Sequence, residues 1–296
     1  MKTMKYVVML LGCLPFLTAC SNDEENNEIV ANVPLEIELS GSATRSIIEG
    51  TTLPTQTSFG IYGTTDDKTI MSSINNLSVF YDGKCKLEKE VLLDNTTFHI
   101  KAYYPYSKEV EKGIVNLNIT DQVDFLYGGG TDAAGKQQEI NSQNPKADIV
   151  FKHALSRITF KVKHTERIAE DFKLSGIFIS PVYMTATYNV LTQELTPVQL
   201  NEPTFKLDVT VGKEFSSFDL LMIPDVEHDK GIILYDSNNK GQWVMLPESA
   251  WKAGQQYTYE VTYDNNGVKI SEAVITAWTT SIQDESEITD DNLVTN

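Results

Sequence analysis

The stretch Tyr257-Thr258-Tyr259-Glu260-Val261-Thr262-Tyr263 alternates without a break. In an extended chain Tyr257, Tyr259, Val261 and Tyr263 share one face, and Thr258, Glu260 and Thr262 share the other. A period of two excludes a helix, whose apolar face repeats every three or four residues. Asp264-Asn265-Asn266-Gly267 follows, and Val268–Ile270 resumes the pattern, so the stretch predicts a hairpin. The same grammar recurs along the chain. Short alternating or apolar runs fall at 33–40, 59–62, 77–81, 86–93, 97–104 and 113–119. Others fall at 148–163, 172–180, 183–190, 205–211, 215–223, 231–235 and 273–280. Turn residues separate them, among them Asp82-Gly83, and no long helical pattern intervenes. The expected fold class is all-β, built as sandwiches.

Length and composition allow this. The chain has 296 residues, 41% hydrophobic and 22% charged, enough for one large or two medium cores. Residues 128–147 break the pattern. Gly128-Gly129-Gly130 and Asn141-Ser-Gln-Asn-Pro145 carry no apolar period, so they read as a long loop leading to a boundary near residue 147. The expected organisation is a targeting segment at 1–20, a leader at 21–45, an N-terminal domain at 46–147 and a C-terminal domain at 148–296. The last ends in an acidic tail from Asp284.

The first twenty residues are a secretory signal. Lys2 and Lys5 precede a short apolar run, Tyr6 to Leu17, too short to span a bilayer. Leu17-Thr18-Ala19-Cys20 fits a bacterial lipobox, which makes Cys20 the expected lipid attachment residue. Such an anchor holds firmly, because each buried CH₂ contributes about 0.8 kcal/mol. Cys85 is then alone in the mature chain, since Cys13 lies within the signal; no internal disulfide framework is possible, and Cys85 reads as a buried or half-buried small residue.

Several functions are disfavoured. A net charge of −17 opposes nucleic-acid binding, which needs a basic stripe. The glycine triplet lacks the Lys-Ser/Thr of a phosphate loop. No two of His99, His153, His164 and His228 stand at a metal-ligand spacing, and His153 reads as a hydrogen-bonded structural residue. Asp236-Ser-Asn238 opens like a calcium loop, but Lys240 and Pro247 occupy ligand positions. No Gly-x-Ser-x-Gly elbow occurs. No catalytic residue, cofactor or metal is expected. Trp243 and Trp251 read as core or turn packing; the alternative is an exposed platform for a glycan or host protein.

One juxtaposition stands out. Val33, Leu35, Ile37 and Leu39 form the inward face of a core strand, and Gly41-Ser-Ala-Thr-Arg45 follows as a small, polar linker. The chain has only three arginines, Arg45, Arg157 and Arg167, and only Arg45 follows such a linker. Proteases need an extended, exposed segment, so this is where cutting succeeds. On composition alone, an ordinary edge strand followed by an ordinary loop is the favoured reading of these residues.

The acidic run after Cys20, Ser21-Asn-Asp-Glu-Glu25, resembles the surface-export signal of Bacteroidetes lipoproteins. Further stretches resemble the fimbrillins of Bacteroidetes, the pilins of type V pili. They are Ala43-Thr-Arg45-Ser46, Phe59-Gly-Ile-Tyr62, Lys101-Ala-Tyr-Tyr-Pro-Tyr106, Asp124-Phe-Leu-Tyr127, Phe151-Lys-His-Ala-Leu-Ser-Arg-Ile-Thr-Phe160, Lys252-Ala-Gly-Gln-Gln-Tyr-Thr-Tyr259 and Ile275-Thr-Ala-Trp278. The resemblance implies two transthyretin-like Greek-key β-sandwiches in tandem. It implies export as a lipoprotein to the outer membrane and cleavage between Arg45 and Ser46 by a surface Arg-specific protease. It implies loss of the strand at 33–40, and head-to-tail joining to other pilin subunits by strand exchange. Val268–Ile282 is the candidate donor, and a host or bacterial surface ligand is a further partner. Anchor and tip subunits share this architecture, and a lipid-anchored binding protein is the other reading.

Overall fold

The computed structural model describes residues 32–39, 53–132 and 134–278. The strands are β1 (Val33–Pro34), β2 (Glu36–Leu39), β3 (Thr57–Thr64), β4 (Leu77–Tyr81), β5 (Cys85–Leu87), β6 (Leu92–Leu93), β7 (His99–Tyr104), β8 (Ile114–Asn118), β9 (Leu126–Gly130) and β10 (Lys146–His153). They continue as β11 (Ser156–His164), β12 (Phe172–Ser180), β13 (Val182–Asn189), β14 (Glu194–Asn201), β15 (Thr204–Val211) and β16 (Ser216–Met222). The last are β17 (Gly231–Asp236), β18 (Trp243–Met245), β19 (Gln255–Asp264), β20 (Gly267–Ile270) and β21 (Val274–Ala277). Two single-turn 3₁₀ helices, Ser72–Ile74 and Ile119–Asp121, are the only helices among the described residues. The fold is nearly all β.

A seven-stranded sheet runs in the order β2-β10-β9-β7-β3-β4-β5, with the β1–β6 pair beside it. Its buried face supplies one core, including Leu35, Ile37, Phe59, Ile61, Val79, Ile100, Leu126, Ile149 and Phe151. A five-stranded sheet (β16-β11-β19, edged by β20 and β21) and a four-stranded sheet (β15-β12-β17-β18) share a second core. The alternation at 158–162 and 257–263 is realised here. Ile158, Phe160, Val162, Tyr257, Tyr259 and Val261 are buried, while Tyr263 is partly so. Asp82–Lys84 closes the β4–β5 hairpin with Gly83 at φ +76°, and Gly267 at φ +119° follows Asn265-Asn266 in the β19–β20 turn. Only glycine takes such angles cheaply.

The third sheet, β14-β13-β8, joins the two halves, because β8 comes from the first and β13 and β14 from the second. Aromatic rings fill the same junction. Tyr103 stacks near Phe125, and Phe125 and Tyr127 each lie 5.0–5.3 Å from Tyr188.

Three expectations need correction. The glycine triplet is not a loop: Leu126–Gly130 is an inner strand, paired with β10 and β7. Glycines carry no side chain, so a glycine strand shows no period. They are needed here for close approach, since a Cβ on Gly128 would lie 1.9 Å from the Val150 carbonyl oxygen and one on Gly129 2.4 Å from that of Ile100. Gly128→Ala is expected to destabilise the fold by about 1–3 kcal/mol, as overpacking does, read as a lowered midpoint in thermal melts. Second, the run at 86–93 splits into β5 and β6, which join different partners. Third, β14 and β18 lie where no strand was expected. The strand β10 passes through the expected junction at 147 and carries the first sheet on to His153.

Candidate functional site

The stretch 33–40 is seated as a strand at the end of the seven-stranded sheet. Leu35 and Ile37 point inward and are 5% and 7% exposed. Proline at 34 suits an edge, where a missing N–H breaks no inner ladder. The strand bends at Leu35, so its two ends find different neighbours. Val33 and Pro34 pair antiparallel with Leu93 and Leu92. Glu36–Leu39 pairs parallel with Lys146–Ile149 of β10. Leu35 N donates to Val91 O at 2.8 Å and Glu36 N to Pro145 O at 2.9 Å. Glu38 meets Lys146 at 2.8 Å, an ion pair exposed enough to contribute under about 1 kcal/mol. The two buried side chains carry more, about 1.5–3 kcal/mol each.

The sheet curls until its two ends, β2 and β5, come together without joining. Between them lies a groove of about 520 Å³, lined by Leu35–Leu39 on one side and by Tyr81, Gly83, Lys84, Cys85 and Leu87 on the other. Among the described residues no strand pairs with the outer edge of β2. Cys85 is half-buried, as expected, and its thiol pKa is pushed up to about 11 by burial and then by the Glu38 charge. A chain that begins at Ser46 lacks both Glu38 and the strand that covers this wall. Its Cys85 is expected to alkylate at pH 8 about tenfold or more faster than in the full chain, since each unit of pKa is a factor of ten in thiolate. Equal rates would show that the leader does not shield it.

The candidate donor stretch occupies another edge. β20 and β21 lie end to end along β19, pairing Val261–Asp264 and Gln255–Thr258 respectively. All four residues of β21 are exposed, Val274 and Ile275 by 62% and 46%. The strand is pinned at its far end. Trp278, 3% exposed, donates its backbone N–H to Gly254 O at 2.8 Å and stacks on His153 with centroids 3.6 Å apart and planes within 8°. His153 in turn is hydrogen-bonded through Nδ1 to Asp124 Oδ2 at 2.9 Å, and both side chains are 1% exposed. His153 is thus the structural residue expected. What sequence reasoning missed was its company. Asp124, His153, Gly254 and Trp278 each belong to a separate stretch singled out above, and the fold brings those four stretches together.

Cys20, Arg45 and Ser46 lie outside the described residues, as do the acidic tail and Ile282. Trp251 is fully buried, whereas Trp243 is 46% exposed, so the core reading fails for Trp243: β18 is an edge strand. Among the described residues no group of three or more His, Cys, Asp or Glu could hold a metal ion. No described helix is long and apolar enough to cross a membrane.

Fold and site together define a class: β-sheet proteins whose first described strand is held at a sheet edge, beside a groove. The sequence matches the fimbrillin-like proteins over residues 44–278, and the chain belongs to that family. The match starts one residue before Arg45 and ends at Trp278. A protein of Bacteroides uniformis named as fimbrium subunit Fim1C is 27% identical over 188 residues, which span 58% of this chain and 59% of that relative. The chain thus matches about three fifths of the relative's length. Crystal structures described as cell adhesion proteins share the fold. One from Bacteroides uniformis has a TM-score of 0.64 at 18% identity and covers 84% of this chain and 99% of its own. Another, from Bacteroides ovatus, has 0.64 at 17%, covering 85% and 99%.

Proposed function

We propose that this chain is a structural subunit of a cell-surface fimbria, made as a lipoprotein precursor and assembled by strand exchange. On this reading its two cores are tandem transthyretin-like sandwiches. Lipid on Cys20 tethers the precursor to the outer membrane. An Arg-specific protease then cuts between Arg45 and Ser46, and β1 and β2 leave with the leader.

The observation that carries the reading is the seat of residues 33–39. Among the described residues the strand fills core positions yet is joined to the sheet along one side, beside a groove. Its departure would expose apolar surface and strip the Lys146–Ile149 edge of its partner. Unpaired strand edges recruit other strands, and a strand from a neighbouring subunit relieves the cost by β-augmentation. Because donor and acceptor surfaces differ, the contact is head-to-tail and builds a filament. Val268–Ile282 is the donor in this scheme, in keeping with the exposure of β21.

N-terminal sequencing of the protein taken from the cell surface tests the reading. The expected first residue is Ser46. Protein that still begins at a lipidated Cys20 would make the chain an anchor and remove the exchange step. A second reading, a ligand-binding surface lipoprotein, draws on Trp243 alone. Retention on a glycan array, abolished by Trp243→Ala in a chain that forms no polymer, would favour it.

A further inference from the structure

The outer face of the seven-stranded sheet carries a trough where its glycine strand runs. Gly129 pairs with Lys101 on one side and Val150 on the other, and Tyr127 pairs with Lys152. Alternation places these residues on the outer face, opposite the buried Leu126 and Phe151. Gly129 has no side chain to stand between its neighbours, and a cavity of about 150 Å³ opens there. Lys101, Tyr127 and Lys152 line it, with Gln137 from the segment after β9 and Gln193 from the β13–β14 turn of the other half. Gln193 is fixed in place by its Nε2 donating to Gly128 O at 3.2 Å.

The charge of this lining is the reverse of the chain's. The protein carries −17 overall, yet the cavity is lined by two lysines and no carboxylate. Neither lysine forms an ion pair among the described residues, where Lys101 Nζ donates to Gln137 Oε1 at 3.4 Å. The neighbouring carboxylates are engaged elsewhere. Asp148 meets Lys146 at 3.3 Å and accepts from Gln138 Nε2 at 3.2 Å, and Asp66 meets His99 at 2.8 Å. Burial, then the Lys68 charge, holds Lys101 below the ordinary lysine pKa, as befits a half-buried cation that lacks a counter-charge.

The two amides define what else a ligand must carry. Gln137 Oε1 is taken by Lys101, and Gln193 Nε2 by Gly128 O. Gln137 Nε2 is left as a donor and Gln193 Oε1 as an acceptor, neither with a hydrogen bond among the described residues. Two cations and a donor suit a carboxylate. The acceptor calls for a hydroxyl, which inorganic sulfate lacks. Drug-sized ligands need about 300–1,000 Å³, so this smaller space takes one ring-sized group. We propose that the trough binds a single sugar unit that bears a carboxylate. Lys101 and Lys152 hold the carboxylate, Gln193 Oε1 accepts from a ring hydroxyl, and Tyr127 flanks the ring. The site belongs to the single chain, holds whether or not chains polymerise, and uses neither the leader nor Trp243.

Calorimetric titration of the full chain with D-glucuronic acid and with N-acetylneuraminic acid tests this. Saturable binding of at least one of them is expected, about tenfold or more tighter than that of D-glucose, because hydrogen bonds to charged groups are the stronger ones. Replacing both lysines, Lys101→Gln with Lys152→Gln, is expected to weaken it by about tenfold or more, with the melting midpoint unchanged. Gln193→Ala is expected to weaken the sugar acid and to leave inorganic sulfate unaffected. No saturable binding, equal binding of glucose, or binding indifferent to the lysines would overturn the proposal. Sulfate binding as tightly as the sugar acid, with Gln193→Ala silent, would make this a plain anion site and overturn it too. A short poly-glutamate peptide that binds more tightly and displaces the sugar acid would assign the trough to a protein partner, which also overturns it.

Discussion

Purified precursor treated with an Arg-specific protease is expected to pass from monomer to a ladder of oligomers on a denaturing gel, and Arg45→Gln precursor is expected to stay monomeric. The energetics make the outcome close to all-or-none. Leu35 and Ile37 together contribute about 3–6 kcal/mol by burial, against a typical domain stability of about 5–15 kcal/mol. A subunit that loses this strand is left with an exposed groove and an unpaired β10 edge, and a donor strand restores both. Arg157 and Arg167 do not compete. Arg157 sits within β11 and is hydrogen-bonded to Asp219 at 2.9 Å. Arg167 is exposed, but its turn is closed by Ile168 N donating to Thr165 O at 3.1 Å, which opposes the extended form a protease needs. A peptide spanning Val33–Ser40, added in excess, should reoccupy the groove and shorten the ladder. A precursor cut after Arg45 that nevertheless remains monomeric would defeat the exchange reading, and a cut at Arg167 would defeat the argument from linker exposure.

The inward face of the leader strand was legible because alternation is a local property. Leu35 and Ile37 could be assigned to a core from eight residues. Their partners could not: Lys146–Ile149 stands about 110 residues further on, and nothing in either stretch states that they run parallel. The same holds for the Asp124–His153–Trp278 stack, whose members lie 29 and 125 residues apart and acquire meaning only when packed. β14 escaped notice for another reason. It is an edge strand with Pro197 inside it and with Val198 and Leu200 exposed, so neither face is consistently buried and the pattern blurs. Gly128–Gly130 is the opposite case, an inner strand whose signal is absent because its residues have no side chains.

Asp225→Ala is expected to be the most damaging single change in the second core. Lys230 is fully buried, and its Nζ donates to the carbonyl oxygens of Asp225, His228 and Ser249 at 3.1, 2.6 and 2.9 Å. Its charge is met by Asp225 Oδ2 at 3.2 Å and by the Trp251 ring, 4.9 Å away. Removing the carboxylate leaves a buried ammonium without its counter-charge, which costs about 3–5 kcal/mol. In a chain of this size that lowers the melting midpoint by about 10 °C. Adding Lys230→Met should recover most of the loss, because it removes the stranded charge and keeps an unbranched apolar stem; failure of this rescue would show that the pair matters for shape. The pH dependence has a definite sign. Burial works against the Asp225 charge, but hydrogen bonds from Glu227 N and from His228, with the Lys230 charge, outweigh it and hold the pKa below the usual carboxylate value. The stabilisation is therefore present above about pH 4, the unfolded value, and is lost as pH falls through the lower folded value. Urea melts at pH 7 and pH 3 should show the Asp225→Ala penalty at the first and a smaller one at the second. The effect should also reach the C-terminal strand. Asp225 and Trp251 exchange both backbone hydrogen bonds at 2.9 Å, and the turn that follows Trp251 supplies the Gly254 carbonyl that receives Trp278. A loosened turn would free Trp278 and with it β21, so the variant should exchange the Val274–Trp278 amides faster than the parent chain even at temperatures where both remain folded.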